Sequence, residues 1–337
     1  MNDENALMQL EENYRNRPGA NKVIRHTQEI APVVRDEIRV AVEYQENSRS
    51  AATRKAYLSD WRIFVAWCEA RELSPHPASP ETVCLFLSSQ ADSGSKVSTL
   101  GRRVASIRLA HTSAGLESPT ATEAVKTTMK GIRRSIGAAP VQKVAATAEK
   151  VREMVERCDS SLRGLRDRAL LLLGFAGAFR RSELSALTVD DLEETDKGLR
   201  VHVRRSKTDQ EGVGATVPVV RGDRACPVEA VRAWLDAAGI SEGPVFRRMM
   251  KGGHVTDDAL SAHSIGATVK RYAKAAGYDA AEFGGHSLRA GFLTSAAERG
   301  ASIFRMMDVS RHKSVDTVRG YVRRAEEFTD HAGQGLL

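Results

Sequence analysis

Along most of the chain apolar residues recur every three or four positions, the spacing that gathers them on one face of an α-helix. Between Thr53 and Arg71 that face carries Tyr57, Trp61, Phe64 and Cys68, with Trp67 beside them, so the aromatic stripe predicts core packing and Thr53 is the expected N-cap. A second helix is expected over Pro80 to Asp92, where Ser79 can cap and Pro80 takes the first helical position. Ser98 to Ala114 and Ala121 to Ile136 complete a four-helix group. Gly137 to Val141, with Pro140 inside it, breaks the pattern and predicts a domain boundary. Helices resume at Ala148 to Arg157 and Gly164 to Ala178, the latter carrying an apolar run from Ala169 to Ala176. The period then changes to two: Leu199, Val201 and Val203 alternate with polar residues, and Ala215 to Val220 is strand-like. The intervening Asp209 to Gly214 is rich in turn formers, which predicts a β-hairpin with Lys207 at its tip. Val228 to Ala238, Ser264 to Ala276 and Ser287 to Arg299 return to helical spacing. The predicted fold is mainly α with a small antiparallel β-sheet, in two domains: 46–139 and 140–337, preceded by a polar arm, 1–45, with one amphipathic piece around Val33 to Tyr44.

Composition narrows the class. A chain of 337 residues supports two cores, and 42% hydrophobic with 28% charged residues is ordinary for a globular protein. No apolar stretch approaches the ~20 residues that span a bilayer. The acidic, amide-rich start lacks the pattern of a signal peptide, so a cytoplasmic protein is expected. Cys68, Cys84, Cys158 and Cys226 are widely separated and have no metal-ligand spacing, which predicts reduced structural thiols and no metal site. The net charge of +7 and a pI near 9.3 suit an anionic partner. The excess is concentrated between Ser95 and Arg134, where Lys96, Arg102, Arg103, Arg108, Lys126, Lys130, Arg133 and Arg134 face only Glu117 and Glu123. Such a surface fits a phosphate backbone; a solvated helix face is the bland alternative.

Candidate chemistry lies in the second half. Arg180 closes the apolar helix and precedes Glu183 by three residues, and charge in so apolar a setting needs a partner. Only Arg180, not Arg181, has that spacing to the glutamate. His286 and Arg289 lie one helical turn apart and can face one point. Arg311-His312-Lys313 follows, and Tyr321 comes nine residues after His312. His202 reads as a histidine on the sheet surface, and His254 and His263 as structural residues.

In this order and spacing, Arg-x-x-Glu-Leu at Arg180, Lys207 within Arg205-Ser-Lys-Thr, His-x-x-Arg at His286, then His312 and Tyr321, the chain resembles the tyrosine recombinase (phage integrase) family of Cre-like site-specific recombinases. The resemblance runs from about residue 46 to the end. It implies a helical core-binding domain that grips DNA and a catalytic domain whose last segment docks on a neighbouring subunit. It further implies that Tyr321 attacks a phosphodiester to form a 3′-phosphotyrosine, without metal, ATP or other cofactor. Arg180 and Arg289 would clamp the phosphate, Lys207 would protonate the departing 5′ oxygen, His286 would move the tyrosine proton and His312 would bond the phosphate. Glu183 would orient His286 or Arg180. The expected partner is a double-stranded recombination site, the working form a homotetramer on two synapsed sites, and the role integration or excision of a mobile element. A type IB topoisomerase, a telomere resolvase and a non-catalytic DNA-binding protein are the alternatives. Two departures stand out: Arg311 precedes His312 where many members have glycine, and Gly177 lies three residues before Arg180 where glycine is usual two before.

Overall fold

The computed structural model describes residues 49–137, 143–204 and 213–325. The chain divides into two compact units, Met1–Pro140 and Val141–Leu337. The arm over 1–45, the amphipathic piece within it, Lys207 and the stretch 326–337 lie outside the described residues.

In the first unit, α1 (Ala51–Glu69), α2 (Pro80–Asp92), α3 (Val97–Ser113) and α4 (Glu123–Ile136) enclose a core that includes Phe64, Trp67, Cys68, Phe86, Leu87, Leu100, Ile107 and Met129. The aromatic stripe packs inward: Phe64 and Trp67 each meet Phe86 edge to face, with ring centroids 5.0 and 5.4 Å apart. The N-cap of α1 is Ser50, whose hydroxyl accepts from the Thr53 backbone N–H, so the helix starts a few residues before the predicted cap. Ser79 caps α2 and Pro80 opens it as expected.

This core also holds a charged lock. Asp60, buried on α1, accepts two bonds from Arg102, at 2.6 and 3.1 Å, and lies 3.8 Å from Arg103. Arg103 is itself buried; it donates to Gln90 and, at 3.1 Å, to Ser95. Desolvating these charges is costly unless they are paired, and here Asp60, Gln90 and Ser95 supply partners from within the unit.

The second unit is built on α6 (Leu162–Ala176), whose residues Ala169 to Gly174 are all buried. A helix apolar all round must be central, and α8 (Pro227–Ala238), α5 (Ala148–Glu156) and α10 (Ser287–Glu298) pack on it. An antiparallel sheet in the order β1 (Leu192–Thr195), β2 (Gly198–Val203), β3 (Ala215–Val220) lies against it, with Leu199, Val201, Val203, Val217 and Val219 facing the core. The pairing Leu199↔Val219 and Val201↔Val217 is the antiparallel partnership that the alternation predicted. A second pair, β4 (Arg247–Met249) with β5 (Val255–Ala259), precedes α9 (Ala262–Ala275). Short helices α7 (Arg181–Ala186) and α11 (Ile303–Ser310) lead into the site, and α12 (Val315–Ala325) packs on α10 and α11.

Close backbone approach fixes where α10 sits. Ala146 N–H donates to the Ser287 carbonyl and Ala148 N–H to the Ser295 hydroxyl, so the segment leading into α5 lies along α10. A Cβ at Gly291 would stand 1.7 Å from the Ala146 carbonyl oxygen. Gly291→Ala should therefore lower stability by about 2–3 kcal/mol, measured as a shift of the urea transition, because a single added methyl has to push backbone aside.

Candidate active site

The spacing Arg-x-x-Glu is a helix-start motif. Arg180 is the N-cap of α7 and Glu183 its third residue, and the Glu183 carboxylate accepts the Arg180 backbone N–H at 2.8 Å. The same carboxylate takes a 2.6 Å bond from the Arg180 guanidinium and a 2.8 Å bond from Arg311. Glu183 is buried. Burial alone would raise its pKa, but the Arg311 charge and the Arg180 bonds outweigh it, and the carboxyl is held below its usual value. The carboxylate thus bonds both Arg180 and Arg311.

Arg289 comes from the first turn of α10 and is fully buried. One guanidinium nitrogen donates to the Ala178 carbonyl at 2.7 Å, and the other lies 3.3 Å from both ring nitrogens of His312. A cation so near a helix N-terminus opposes the helix dipole, an arrangement that favours a site for an anion over stability. Burial, and then the charges of Arg180 and Arg311, push the Arg289 pKa down to about 9, so it keeps its proton at neutral pH.

His312 sits in the turn between α11 and α12. Ser310 donates its hydroxyl hydrogen to the Met306 carbonyl at 2.6 Å, so its oxygen, 2.8 Å from His312 Nδ1, can only accept. Nδ1 therefore carries hydrogen, leaving Nε2 as the lone-pair nitrogen toward Arg289. Burial, then Arg289, Arg180, His286 and Arg311, push the His312 pKa down to about 4. His286 is the N-cap of α10 and stands exposed at the rim. Desolvation of its ring by the surrounding protein, and then Arg289, Arg180 and Arg181, lower its pKa as well. Tyr321 lies on α12, half-buried against the cluster of Leu293, Ala297, Met306 and Val318, and close enough to Arg289 that an ionised phenol would raise the arginine's pKa.

The structure thus brings together Arg180, Glu183, His286, Arg289, His312 and Tyr321. Arg311 and Ser310 join them, and neither was among the predicted site residues. Two backbone features explain the departures at Ala178 and Arg311. Both residues have left-handed φ, +46° and +57°, where glycine is the unstrained choice. At each place a side chain sits on backbone that glycine would adopt without strain, at a cost of roughly 1–2 kcal/mol apiece.

Arg181 is exposed, and its stem lies over Gly285, where a Cβ would come within 2.0 Å of it. His202 is half-exposed on the sheet and bonds Thr216 at 3.0 Å, while His254 and His263 are exposed. Of the basic residues read as DNA contacts, Lys96, Arg108, Lys126, Lys130, Arg133 and Arg134 are exposed. Arg103 is corrected to a core residue, because its guanidinium is spent on Gln90, Ser95 and Asp60, and Arg102 is half committed to Asp60. Among the described residues no group of His, Cys, Asp and Glu side chains could hold a metal ion, and no helix is long and apolar enough to cross a membrane. Cys68 and Cys158 are buried thiols with pKa pushed up to about 11 by that burial.

The depressed His312 pKa has a signed consequence. Unfolded histidine takes up its proton near pH 6.5 and the folded ring only near 4, so acid favours the unfolded chain. The stabilisation is whole above pH 6.5 and is lost as pH falls toward 4. Urea transitions of wild type and His312→Gln should therefore converge as pH is lowered through that window, and an NMR titration should find the His312 ring neutral at pH 6.

The sequence model of the phage integrase family matches residues 145–327. An integrase/recombinase XerD homolog from Selenomonas ruminantium is 38% identical over 293 residues, covering 85% of this chain and 86% of that protein. The recombinase Cre of Escherichia phage P1 is 27% identical over 300 residues, covering 83% and 86%. Among solved structures, a XerH site-specific recombinase bound to a palindromic difH substrate superposes with a TM-score of 0.55 at 17% identity, over 74% of this chain and 71% of that one. A lambda integrase dimer bound to a core site gives 0.51 at 16%, over 90% and 84%. These two likenesses carry the fold, and the sequence matches carry the relationship: the chain belongs to the phage integrase family, the tyrosine recombinases.

Proposed function

We propose that this protein is a site-specific DNA recombinase that breaks and rejoins strands through Tyr321. The observation that carries the reading is the gathering of three arginines, two histidines of lowered pKa and one tyrosine about a single buried carboxylate. That excess of positive charge is what a phosphodiester would neutralise.

In the proposed reaction the Tyr321 oxygen attacks phosphorus and the bond to the 5′ oxygen breaks, giving a 3′-phosphotyrosine and a 5′-hydroxyl. His286 takes the phenol proton, and Lys207, outside the described residues, gives one to the departing oxygen. Arg180 and Arg289 offer forked donors to the non-bridging oxygens, on which charge grows as phosphorus becomes five-coordinate. His312 bonds the phosphate, and the anion raises the pKa of both histidines from their depressed values. Attack by another strand's 5′-hydroxyl reverses the step, and the ester conserves the bond energy, so no ATP is needed.

In this reading 46–139 is the DNA-gripping domain and 140–337 the catalytic one. The partner is a double-stranded recombination site, the working form a homotetramer on two synapsed sites with the C-terminal segment reaching a neighbour, and the setting the cytoplasm. Integration or excision of a mobile element is the proposed role.

Two measurements test this. Wild-type protein with a nicked DNA site, in EDTA and without ATP, should form a covalent 3′ adduct on a denaturing gel, and Tyr321→Phe should form none while binding the same DNA. Tight binding with no adduct would favour a non-catalytic DNA-binding protein, and relaxation of supercoils without exchange between sites would favour a topoisomerase. On α4, Lys126, Lys130, Arg133 and Arg134 are exposed at spacings of four, three and one. If that face tracks the backbone, Lys130→Ala with Arg133→Ala makes the slope of log affinity against log salt shallower by about 2, whatever the DNA sequence.

A further inference from the structure

We propose that Arg311 is a positioning residue of the recombination site, a latch that holds the Arg180 segment and the His312 turn in one geometry. The inference rests on the recombinase reading and adds a residue to it.

Arg311 is the C-cap of α11, and its side chain joins the last turn of its own helix to the segment before α7. It makes a 2.8 Å ion pair with Glu183, donates to the Gly177 carbonyl at 3.2 Å and the Ala178 carbonyl at 3.4 Å, and bonds Val309 at 2.7 Å. Its guanidinium carbon lies 5.0 Å from the centre of the Phe179 ring. The side chain is 9% exposed, so it supports the phosphate ligands from behind. Three of those ligands are tied to it by one intermediate each: Arg180 through Glu183, Arg289 through the Ala178 carbonyl that both arginines share, and His312 through the adjoining peptide bond. The charge matters as much as the reach. With Arg180 as its only partner, Glu183 would draw that guanidinium inward and cancel it; the second arginine leaves Arg180 cationic toward solvent.

Arg311→Gly suits the left-handed backbone and removes the latch, while Arg311→Lys keeps the charge but cannot span carboxylate and carbonyls together. Single-turnover adduct formation on a nicked site should fall about 100-fold in the glycine variant and nearly as far in the lysine variant, with DNA affinity unchanged, as expected when reacting groups are misplaced by an ångström. Combining Arg311→Gly with Glu183→Gln should be no worse than the more damaging single change, because the two act through one network. A readout independent of catalysis is the His312 titration in DNA-free protein, where Arg289, Arg180, His286 and Arg311 all face the ring. Release of the turn should move its pKa from about 4 toward the ordinary value in both variants. Wild-type rates with an unmoved titration, or losses that multiply with Glu183→Gln, would overturn the latch. A wild-type protein that forms no adduct would instead overturn the recombinase reading, and the titration would still decide whether Arg311 holds the turn.

Discussion

The second unit is organised about one buried carboxylate. Glu183 begins α7 by accepting the Arg180 backbone N–H, and so sets where the chain turns after the apolar α6. It also fixes the Arg180 guanidinium and receives Arg311 from a segment 128 residues away. A single anion in that place does the work of a cap, a side-chain anchor and a tertiary tie. Its removal from water is tolerable only because both arginines and a backbone N–H replace the lost hydration.

The surroundings are deliberately unbalanced. Among the described residues Arg180, Arg289 and Arg311 stand against the single carboxylate of Glu183, and desolvation and neighbouring cations lower the pKa of both His286 and His312. A fold selected only for stability would have placed a second carboxylate there. The imbalance costs stability in the empty protein and becomes favourable when an anion arrives, which is the sense in which a preorganised site stabilises charge that develops later. The resulting coupling of His312 to acid is the signature of that imbalance in the absence of DNA.

Most helices could be read from the sequence because their apolar residues repeat with the helical period and their ends carry Ser, Pro or Gly. The sheet could be read because Leu199, Val201 and Val203 alternate. What escaped has physical reasons. α7 is only six residues long, α11 is only eight, and α12 is short and rich in polar residues, so no long periodic stripe marks them. β4 and β5 are three and five residues, with Asp257 and Asp258 in the latter. Arg103 looked like part of a DNA-facing run because linear charge density cannot distinguish the two sides of α3; only the packing of Asp60 and Gln90 turned it inward. The predicted site residues within the described part could be named because their order and spacing resemble the family's motifs, among them the three-residue offset of Arg180 and Glu183 that also starts a helix. Arg311 was visible only as an irregularity, a bulky residue where glycine is usual, and its partners lie far away in sequence.

That irregularity is informative when set beside Ala178. Among the described residues only Glu72, Ala178 and Arg311 combine a side chain with left-handed φ, and two of the three are hydrogen-bonded to each other across the site. Strain of this kind persists only where surrounding contacts hold the backbone in place. At Arg311 the contacts are the ion pair and three backbone carbonyls; at Ala178 they are the two arginines that share its carbonyl and the burial of its methyl. The backbone path, and with it the direction of Arg180, Arg289 and His312, is therefore held by these contacts while the glycines that would make it easy are absent. A side chain that has to offset the strain of its own backbone is tied more tightly to its partners than one placed at no cost, and here those partners are the groups that would meet the phosphate.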